Sequence, residues 1–523
     1  MTPVLPPDGG RRPAGLLASV LVAAGLCVAI SFVLIEAMSM GMKWGLAVVM
    51  ALGVAGLWAL APDRRLAAVA GVIACIPVGV QYAFWTHGDR YDFVRHGGGA
   101  PAEPIVWLVD FPIALLLLLF VADLGFGRRR LPSWTRLDTW IAIFLGLSLL
   151  SLVNSTEPGL LACEMLRYLK YFALYWMIRT YADRALYLWM LVGISLAVVC
   201  LQGLVAMAQY FLFLQLPVAV GGVSESAFEL VGGEVIQRVT GFLGHSNTFA
   251  AYLLVPIGMA LAVLASRVRW TWRLAVVPPL ALAVLALALT FSRNGYLVAG
   301  LLVPAITLLA IGTGRLPRLL VPGAAMAALA GVLLVFGFGL DATTLRGWGL
   351  VRQGPDSGVL GTIMTRIAYD PGKAAESRLD LMRIAVEMVE AHPVLGIGLN
   401  SFEENMTLYD RSGTVNIIQQ PVHNVFMLVA AETGLPSAVA FIVIGALLAG
   451  CSWRLMRRPE EAMFVAGVVG LVAIAGVGCA NLLDVTLRKE PIVGLVTIVA
   501  GLVVAMESWD RDAVEAITQE NRR

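Results

Sequence analysis

Charged residues are scarce in this chain of 523 residues. Only 14% of the residues are Asp, Glu, Lys or Arg, whereas 59% are hydrophobic. A soluble protein of this size needs more polar surface than that, so the composition predicts a polytopic membrane protein. The net charge of +2 gives no indication of a nucleic-acid partner.

Several motifs that carry chemistry are also missing. The six cysteines contain no C-x-x-C pair, and all fall inside or at the edge of apolar runs, as small buried residues do. The sequence has no D-x-D, H-E-x-x-H, G-x-x-x-x-G-K-[ST] or G-x-S-x-G motif. We therefore expect no metal site and no cofactor, and arginine is the candidate for neutralising the charge of a leaving group.

Apolar runs long enough to cross a membrane recur along the chain. They predict an all-α, polytopic integral membrane helix bundle of about 12–14 spans, with one large extracytoplasmic loop that contains helices. The fourteen predicted helices lie near 14–37, 44–61, 67–86, 105–126, 138–153, 159–178, 186–213, 242–265, 274–291, 296–313, 319–340, 423–451, 462–483 and 491–507. The predicted division is a bundle of spans 1–11 at 1–340, the loop at 341–422, spans 12–14 at 423–507 and a tail at 508–523.

Lys and Arg residues are concentrated in the connections on one side of this predicted bundle. The positive-inside rule places these connections and both termini in the cytoplasm. The long loop and all five histidines then lie on the extracytoplasmic side. Because nucleotide-activated sugars are cytoplasmic, an enzyme with its polar residues outside is expected to use a lipid-linked substrate.

Two arginines lie at the extracytoplasmic ends of predicted helices. Arg238 precedes His245 and Asn247 in R-V-T-G-F-L-G-H-S-N, and Arg293 lies in the turn T-F-S-R-N-G. A guanidinium can hold a phosphate with two parallel hydrogen bonds, and it costs roughly 2.5–3.5 kcal/mol at membrane depth. We expect both arginines to hold a lipid diphosphate and His245 and Asn247 to bind substrate; snorkelling of the arginines to lipid head groups is the alternative.

A histidine lies where the loop returns to the membrane. His423 and Asn424 follow Pro421 at the start of the predicted helix 423–451. The partial positive charge of a helix N-terminus favours a neutral imidazole, which can accept a proton. We expect His423 to be a general base and Asn424 to orient it. A capping or packing histidine is the alternative.

Three further cations are candidates for binding an anionic head group. Arg167 and Lys170 follow Glu164 at i+3 and i+6, nearly on one face of the sixth predicted helix. Arg167 could instead simply pair with Glu164. Arg378 lies in a loop helix predicted near 375–391. The apolar stripe expected to pack this helix on the bundle is Leu379, Met382, Val386 and Val389.

Four segments carry a resemblance to a known family. They are G-F-L-G-H-S-N-T-F-A-A-Y-L at 241–253, T-F-S-R-N-G at 290–295, H-P-V-L-G-I-G-L-N-S-F at 392–402 and V-H-N-V-F-M-L-V-A-A-E-T-G at 422–434. By their order and spacing around one large loop, the chain resembles the O-antigen ligase and O-antigen polymerase superfamily of bacterial envelope enzymes over about 230–450.

The resemblance implies a metal-independent, inverting membrane glycosyltransferase. Such an enzyme takes a glycan from undecaprenyl diphosphate at the periplasmic face of the inner membrane and passes it to a lipid or glycan acceptor such as lipid A-core. The functional arginines of the family look like Arg293 and Arg238, and its essential loop-end histidine looks like His423. A polymerase, a protein oligosaccharyltransferase and, more distantly, a transporter of lipid-linked glycans remain open as alternatives.

Overall fold

The structure is a computed structural model that describes residues 61–79, 81–83, 105–212, 228–231, 234–314, 372–411 and 420–520. The predicted helices near 14–37 and 319–340 lie outside these residues, as does the helix near 44–61 up to residue 60. The first half of the long loop, up to residue 371, also lies outside them.

The described part of the chain consists of sixteen α-helices and two short hairpins. The helices are α1 (Arg64–Cys75), α2 (Asp110–Gly125), α3 (Arg136–Leu150), α4 (Pro158–Tyr181), α5 (Leu186–Leu212), α6 (Ser246–Ala265), α7 (Trp270–Ala275), α8 (Val277–Leu289), α9 (Arg293–Gly312), α10 (Gly372–Ala391), α11 (Phe402–Tyr409), α12 (Val425–Thr433), α13 (Leu435–Met456), α14 (Glu461–Leu471), α15 (Val477–Ala480) and α16 (Glu490–Glu520). A π-helical segment, Val472–Gly476, joins α14 to α15, and 3₁₀ turns lie at Ser151–Asn154 and Thr486–Arg488. In each hairpin the strands are antiparallel: β1 (Gln81–Ala83) pairs with β2 (Ile105–Trp107), and β3 (Phe228–Val231) pairs with β4 (Glu234–Gln237).

The prediction of an all-α membrane bundle is confirmed. Seven helical segments of the described residues are long and apolar enough to cross a membrane. They are Arg136–Asn154, Leu186–Leu212, Ser246–Ala265, Trp270–Leu289, Leu435–Met456, Glu461–Ala480 and Glu490–Trp509. A shorter apolar helix covers Arg293–Leu309.

Three predicted helix boundaries were wrong, each for a local reason. The helix predicted at 67–86 ends at Cys75, because Pro77 follows and disfavours helix continuation. The helix predicted at 105–126 begins only at Asp110, whose Oδ2 accepts a hydrogen bond from the backbone of Trp107 at 2.9 Å. The helix predicted at 423–451 is broken at Gly434, which has φ +87 and separates α12 from α13.

The apolar stripe predicted for the loop helix was wrong for two of its four residues, whereas Met382 and Val389 pack against the core as expected. Leu379 and Val386 are exposed, at 58% and 39%. The fully buried face of α10 consists of Leu381, Ile384, Ala385 and Met388, in one cluster with residues of α11 and α12. The helix carries apolar residues on two faces, and periodicity alone could not decide which face α11 and α12 would cover.

The centre of the bundle is α6, a completely buried span. Glycines allow its neighbours to approach closely: a Cβ on Gly258 would lie 2.6 Å from Val472 of the π-helical segment. A Cβ on Gly295 of α9 would lie 2.9 Å from Ala250. Small residues at helix contacts are the usual means of close packing in membranes, where the hydrophobic effect contributes little between helices.

One end of the bundle carries ion pairs between connections that the positive-inside rule places in the cytoplasm. The end of the last span lies at the same end of the bundle. There, Trp509 Nε1 donates to the carbonyl of Ala182, and Arg454 donates to Glu507. The pairs are Arg65–Asp123 at 2.6 Å, Arg129–Asp183 at 2.6 Å, Arg184–Asp63 at 3.0 Å, Arg179–Asp138 at 2.8 Å and Arg454–Glu507 at 2.6 Å. The ion pairs therefore bring these connections together at one end of the bundle, while the topology across a membrane stays a prediction.

Candidate active site

The segment 480–482, which begins with the last residue of α15, lies at the other end of the bundle. It contacts the N-termini of two helices. Its backbone carbonyls accept hydrogen bonds from the start of α9, which carries Arg293, and from the start of α12, which follows His423. The bonds run from Asn294 Nδ2 to Ala480 at 2.7 Å, from the Val425 N–H to Asn481 at 3.0 Å and from Asn424 Nδ2 to Leu482 at 3.2 Å. Two segments that are more than 120 residues apart in the sequence thus meet at three consecutive residues.

Asn424 caps the helix that follows His423. The predicted helix start moves by two residues, because α12 begins at Val425 and Asn424 is its N-cap. The Asn424 Oδ1 accepts from the backbone N–H groups of Phe426 and Met427, both at 3.0 Å, as N-capping side chains do. Because the same amide also binds Leu482, the backbone beside His423 is held on both sides.

His423 lies beside a carboxylate that the sequence analysis did not single out. Its Nδ1 is 3.8 Å from Asp484 Oδ1, and the side chains are 23% and 11% exposed. The distance is longer than a hydrogen bond, as is common for catalytic groups before substrate binds. Burial opposes ionisation of Asp484, but the imidazoles of His423 and then His245 outweigh it, so its pKa lies below the usual value. Asp484 is therefore ionised at neutral pH, and it lies beside Nδ1 of His423.

Arg238 joins two of the motifs. Its Nε donates to the backbone carbonyl of Thr290 at 2.9 Å, and its Nη2 donates to Asn247 Oδ1 at 2.7 Å. Asn247 thus contacts Arg238 directly and positions it. Since Thr290 begins the turn that contains Arg293, the two arginines predicted to hold a diphosphate belong to one connected group.

His245 is the N-cap of α6, and its Nδ1 accepts from the backbone N–H of Thr248 at 3.5 Å. Burial, and next the charge of Lys489, lowers the pKa of His245 to about 4. Arg238 and His423 act in the same direction, while Asp484 opposes them. These effects place Lys489, Asp484, Arg238 and His423 within electrostatic range of His245. Arg293 joins the group through the turn that begins at Thr290, whose carbonyl accepts a hydrogen bond from Arg238. We call Arg238, His245, Arg293, His423, Asp484 and Lys489 the arginine–histidine cluster.

The turn before α9 is strained, and it presents Arg293. Phe291 is buried and has φ +49, which a bulky side chain rarely adopts. The turn is stabilised by the Thr290 hydroxyl, which donates to the carbonyl of Leu287 at 2.6 Å, and by Ser292 Oγ, which accepts from Gly295 N–H at 3.3 Å. Arg293 becomes the first residue of α9, where the helix dipole adds positive charge next to the guanidinium.

Two glutamines of α5 hold the segment that leads to His245. Gln209 Oε1 accepts from the backbone N–H groups of Thr240 and Gly241 at 3.0 and 2.9 Å, and Gln202 Oε1 accepts from Phe242 at 2.8 Å. Gly241 has φ +55, and a Cβ there would collide with Gln202. The sequence analysis missed both glutamines. Their spacing could have indicated them, because two amide side chains seven residues apart lie on one face of an apolar helix.

The cations of α4 are matched by carboxylates. Arg167 and Glu164 form a buried ion pair, with 2.7 Å between Nε and Oε2. Lys170 Nζ lies 3.0 Å from Asp110 Oδ1 and 3.1 Å from Glu490 Oε2. Arg167 is therefore paired with Glu164, as the alternative interpretation expected. Substrate binding by Arg167 or Lys170 stays a prediction, and a substrate would have to compete with these ion pairs.

The third of these further cations, Arg378, and the loop turn lie elsewhere. Arg378 is exposed on α10, and the described contacts do not connect it to the arginine–histidine cluster. The H-P-V-L-G-I-G turn binds α12: Ile397 N–H donates to Ala431 at 3.0 Å and Gly398 N–H donates to Glu432 at 2.9 Å. This third motif therefore supports the helix that follows His423.

Comparison with known proteins gives one match. Residues 278–442 fit the model of a family described as O-antigen ligase, which confirms the resemblance seen in the sequence. The matched interval contains Arg293 and His423, while Arg238, His245 and Asp484 lie outside it. A search of curated proteins gives no match. The family match and the apolar helices support a membrane glycosyltransferase of the O-antigen ligase or polymerase type.

Proposed function

We propose that this chain, whose residues 278–442 belong to the O-antigen ligase superfamily, transfers a glycan from undecaprenyl diphosphate to a hydroxyl of lipid A-core at the periplasmic face of the bacterial inner membrane. The observation that carries the proposal is the convergence of His423 and Asp484 with Arg238 and His245 at one end of the bundle. A base beside a group of cations is what glycan transfer from a diphosphate requires.

The base in this mechanism is His423. It takes the proton of the acceptor hydroxyl while the oxygen attacks the anomeric carbon of the donor sugar. Asp484 then stabilises the imidazolium through the neighbouring Nδ1, 3.8 Å away before substrate binds. A positioned general base of this kind contributes about 10²–10⁴-fold to the rate.

The leaving group is the lipid diphosphate. As the new glycosidic bond forms, the bond from the anomeric carbon to the diphosphate oxygen breaks, and the electron pair stays on the diphosphate. Arg293 at the N-terminus of α9 and Arg238 beside it stabilise this charge, so no metal is required. A single displacement inverts the anomeric configuration.

A polymerase is the second candidate, because the family match includes no information about the acceptor. It would use the same base and arginines, with a second lipid-linked glycan in place of lipid A-core. A protein oligosaccharyltransferase would differ in the same way, with a Ser, Thr or Asn side chain as acceptor.

The test uses purified protein in proteoliposomes with a labelled undecaprenyl diphosphate glycan. Lipid A-core, unlabelled lipid-linked glycan and a Ser- and Thr-containing peptide are offered separately. We expect label on lipid A-core, an inverted anomeric configuration by NMR and no loss of rate with a chelator. Lengthening of the lipid-linked glycan would establish the polymerase, and movement of the glycan across the bilayer without transfer would overturn the enzyme assignment.

A further inference from the structure

Three polar atoms near the arginine–histidine cluster are buried without a hydrogen-bond partner among the described residues. They are Ser401 Oγ, Glu403 Oε1 and Arg488 Nη1. A buried donor or acceptor that makes no hydrogen bond costs about 1–3 kcal/mol, and more when it is charged. A donor and an acceptor left in this way in one region suggest a binding site for a group that can satisfy both.

Arg488 is held firmly from two sides. Its side chain is 4% exposed, and its Nη2 is paired with Glu432, which is 1% exposed. Its backbone carbonyl accepts a hydrogen bond from Arg167 Nη1. The bond from Arg167 holds the backbone, while burial and the pair with Glu432 restrict the guanidinium that carries Nη1.

Glu403 lies in the first turn of α11, within the described part of the long loop. Burial raises the pKa of its carboxyl, and the charges of Arg488 and Lys489 counteract this. The neighbouring backbone N–H of Phe402 donates to Glu432 Oε1 at 3.3 Å, so the start of α11 is attached to the same carboxylate that pairs with Arg488. Glu403 and Arg488 are therefore positioned by a common partner.

This pair is also connected to the proposed base. Lys489 follows Arg488 in the chain, and its charge interacts with both Asp484 and Glu403. Asp484 is the residue beside His423. Phe402, Val422 and Val485, the chain neighbours of Glu403, His423 and Asp484, pack in one apolar cluster, so the pair lies in the same region as the proposed base.

We propose that Glu403 and Arg488 form an acceptor subsite, in which a sugar hydroxyl next to the reacting one donates to Glu403 Oε1 and accepts from Arg488 Nη1. A hydroxyl is suited because it is both donor and acceptor. A phosphate would be repelled by Glu403, and an amine would be repelled by Arg488. The inference rests on the proposed function, since it requires a glycan acceptor beside His423.

The test is the effect of Glu403→Gln on the KM for lipid A-core in the proteoliposome assay, with Glu404→Gln as the matched control. Glu404 is the exposed neighbour on the same helix turn. We expect Glu403→Gln to raise the acceptor KM at least about tenfold, with kcat and the donor KM within about twofold of the wild type. Glu404→Gln should change none of these values, and Arg488→Lys should raise the acceptor KM in the same way, because it keeps the charge and loses the planar fork.

Other outcomes separate the inference from the function on which it rests. An unchanged acceptor KM in Glu403→Gln, with at most a lower melting temperature, would assign these atoms to buried water and overturn the subsite. A raised donor KM would overturn it as well. If the wild type extends lipid-linked glycan instead, the same KM comparison is made with that acceptor. Transfer that persists at the normal rate in His423→Ala would reject the base while a raised acceptor KM in Glu403→Gln still supports the subsite. No transfer to any acceptor would reject both.

Discussion

Two groups of charged side chains lie in this bundle, and they differ in composition and in the contacts that the structure shows. In the ion network of α4, which consists of Arg167, Lys170, Glu164, Asp110 and Glu490, each cation has at least one carboxylate within 3.1 Å. In the arginine–histidine cluster, Asp484 interacts with His423, His245 and Lys489. Arg238 there donates to a backbone carbonyl and to an amide oxygen.

From this difference we expect the α4 network to contribute to stability and the arginine–histidine cluster to contribute to function. Removing one member of a buried ion pair leaves the other charge uncompensated, which costs about 3–5 kcal/mol, so the α4 network is expected to hold the bundle together. The arginine–histidine cluster includes two arginines and a lysine, and we expect it to bind an anion such as a diphosphate. Substitutions should therefore lower stability in the first group and activity in the second.

The largest effect is expected for His423→Ala. Loss of the base should lower kcat by about 10²–10⁴-fold, while the melting temperature stays close to that of the wild type because the side chain is partly exposed. The measurement is steady-state transfer in proteoliposomes together with thermal unfolding. His392→Ala is the control, since this histidine lies on the turn after α10, and it should retain transfer. Normal transfer by His423→Ala would mean that the arginine–histidine cluster does not contain the base.

Arg293→Ala should follow, with a loss of about 10²–10³-fold in kcat, as for other groups that stabilise a developing negative charge. Arg293→Lys should recover only part of this, because Lys binds as a point charge without the bidentate fork. Transfer rates at saturating donor give the comparison. Arg383→Ala, on the exposed face of α10, serves as the control for loss of one positive charge. Equal losses in Arg293→Ala and Arg383→Ala would mean that only the overall charge matters.

Arg167→Met should lower stability by about 3–5 kcal/mol, because Glu164 is then buried without its partner. The double variant Glu164→Gln with Arg167→Met should recover most of that loss. Denaturation in detergent measures the stability, and the donor KM is determined for the same samples. A double variant that regains stability but has a strongly raised donor KM would establish the substrate-binding role predicted for Arg167.

A smaller effect is expected from pH. Burial lowers the pKa of Lys489 to about 8, with Asp484 and Glu403 opposing the shift and Arg167 and Arg488 adding to it. The ammonium is therefore charged below this value and neutral above it, and the donor KM should rise as the pH passes through about 8. In Lys489→Arg, which remains charged, the donor KM should be flat from pH 7 to 9. A rise of the same size in both proteins would assign the pH dependence to another group.

The sequence determined the class of protein and part of the site. Hydropathy is a local property, so the apolar runs were sufficient to predict a helical membrane bundle. Arg238, Arg293 and His423 could be selected because a polar residue at the end of an apolar run requires a reason. The order of four short motifs was sufficient to indicate the superfamily, which the match over 278–442 confirms.

Only the tertiary structure decided how charges are paired. Asp484 lies 61 positions after His423 in the chain and Arg488 lies 56 positions after Glu432, and sequence spacing gives no indication of such contacts. The same holds for α10, where two apolar faces were available and the packing of α11 and α12 selected one. Hydrophobic periodicity depends on neighbours along one helix, whereas the partner of a buried charge depends on which helix ends the fold brings together.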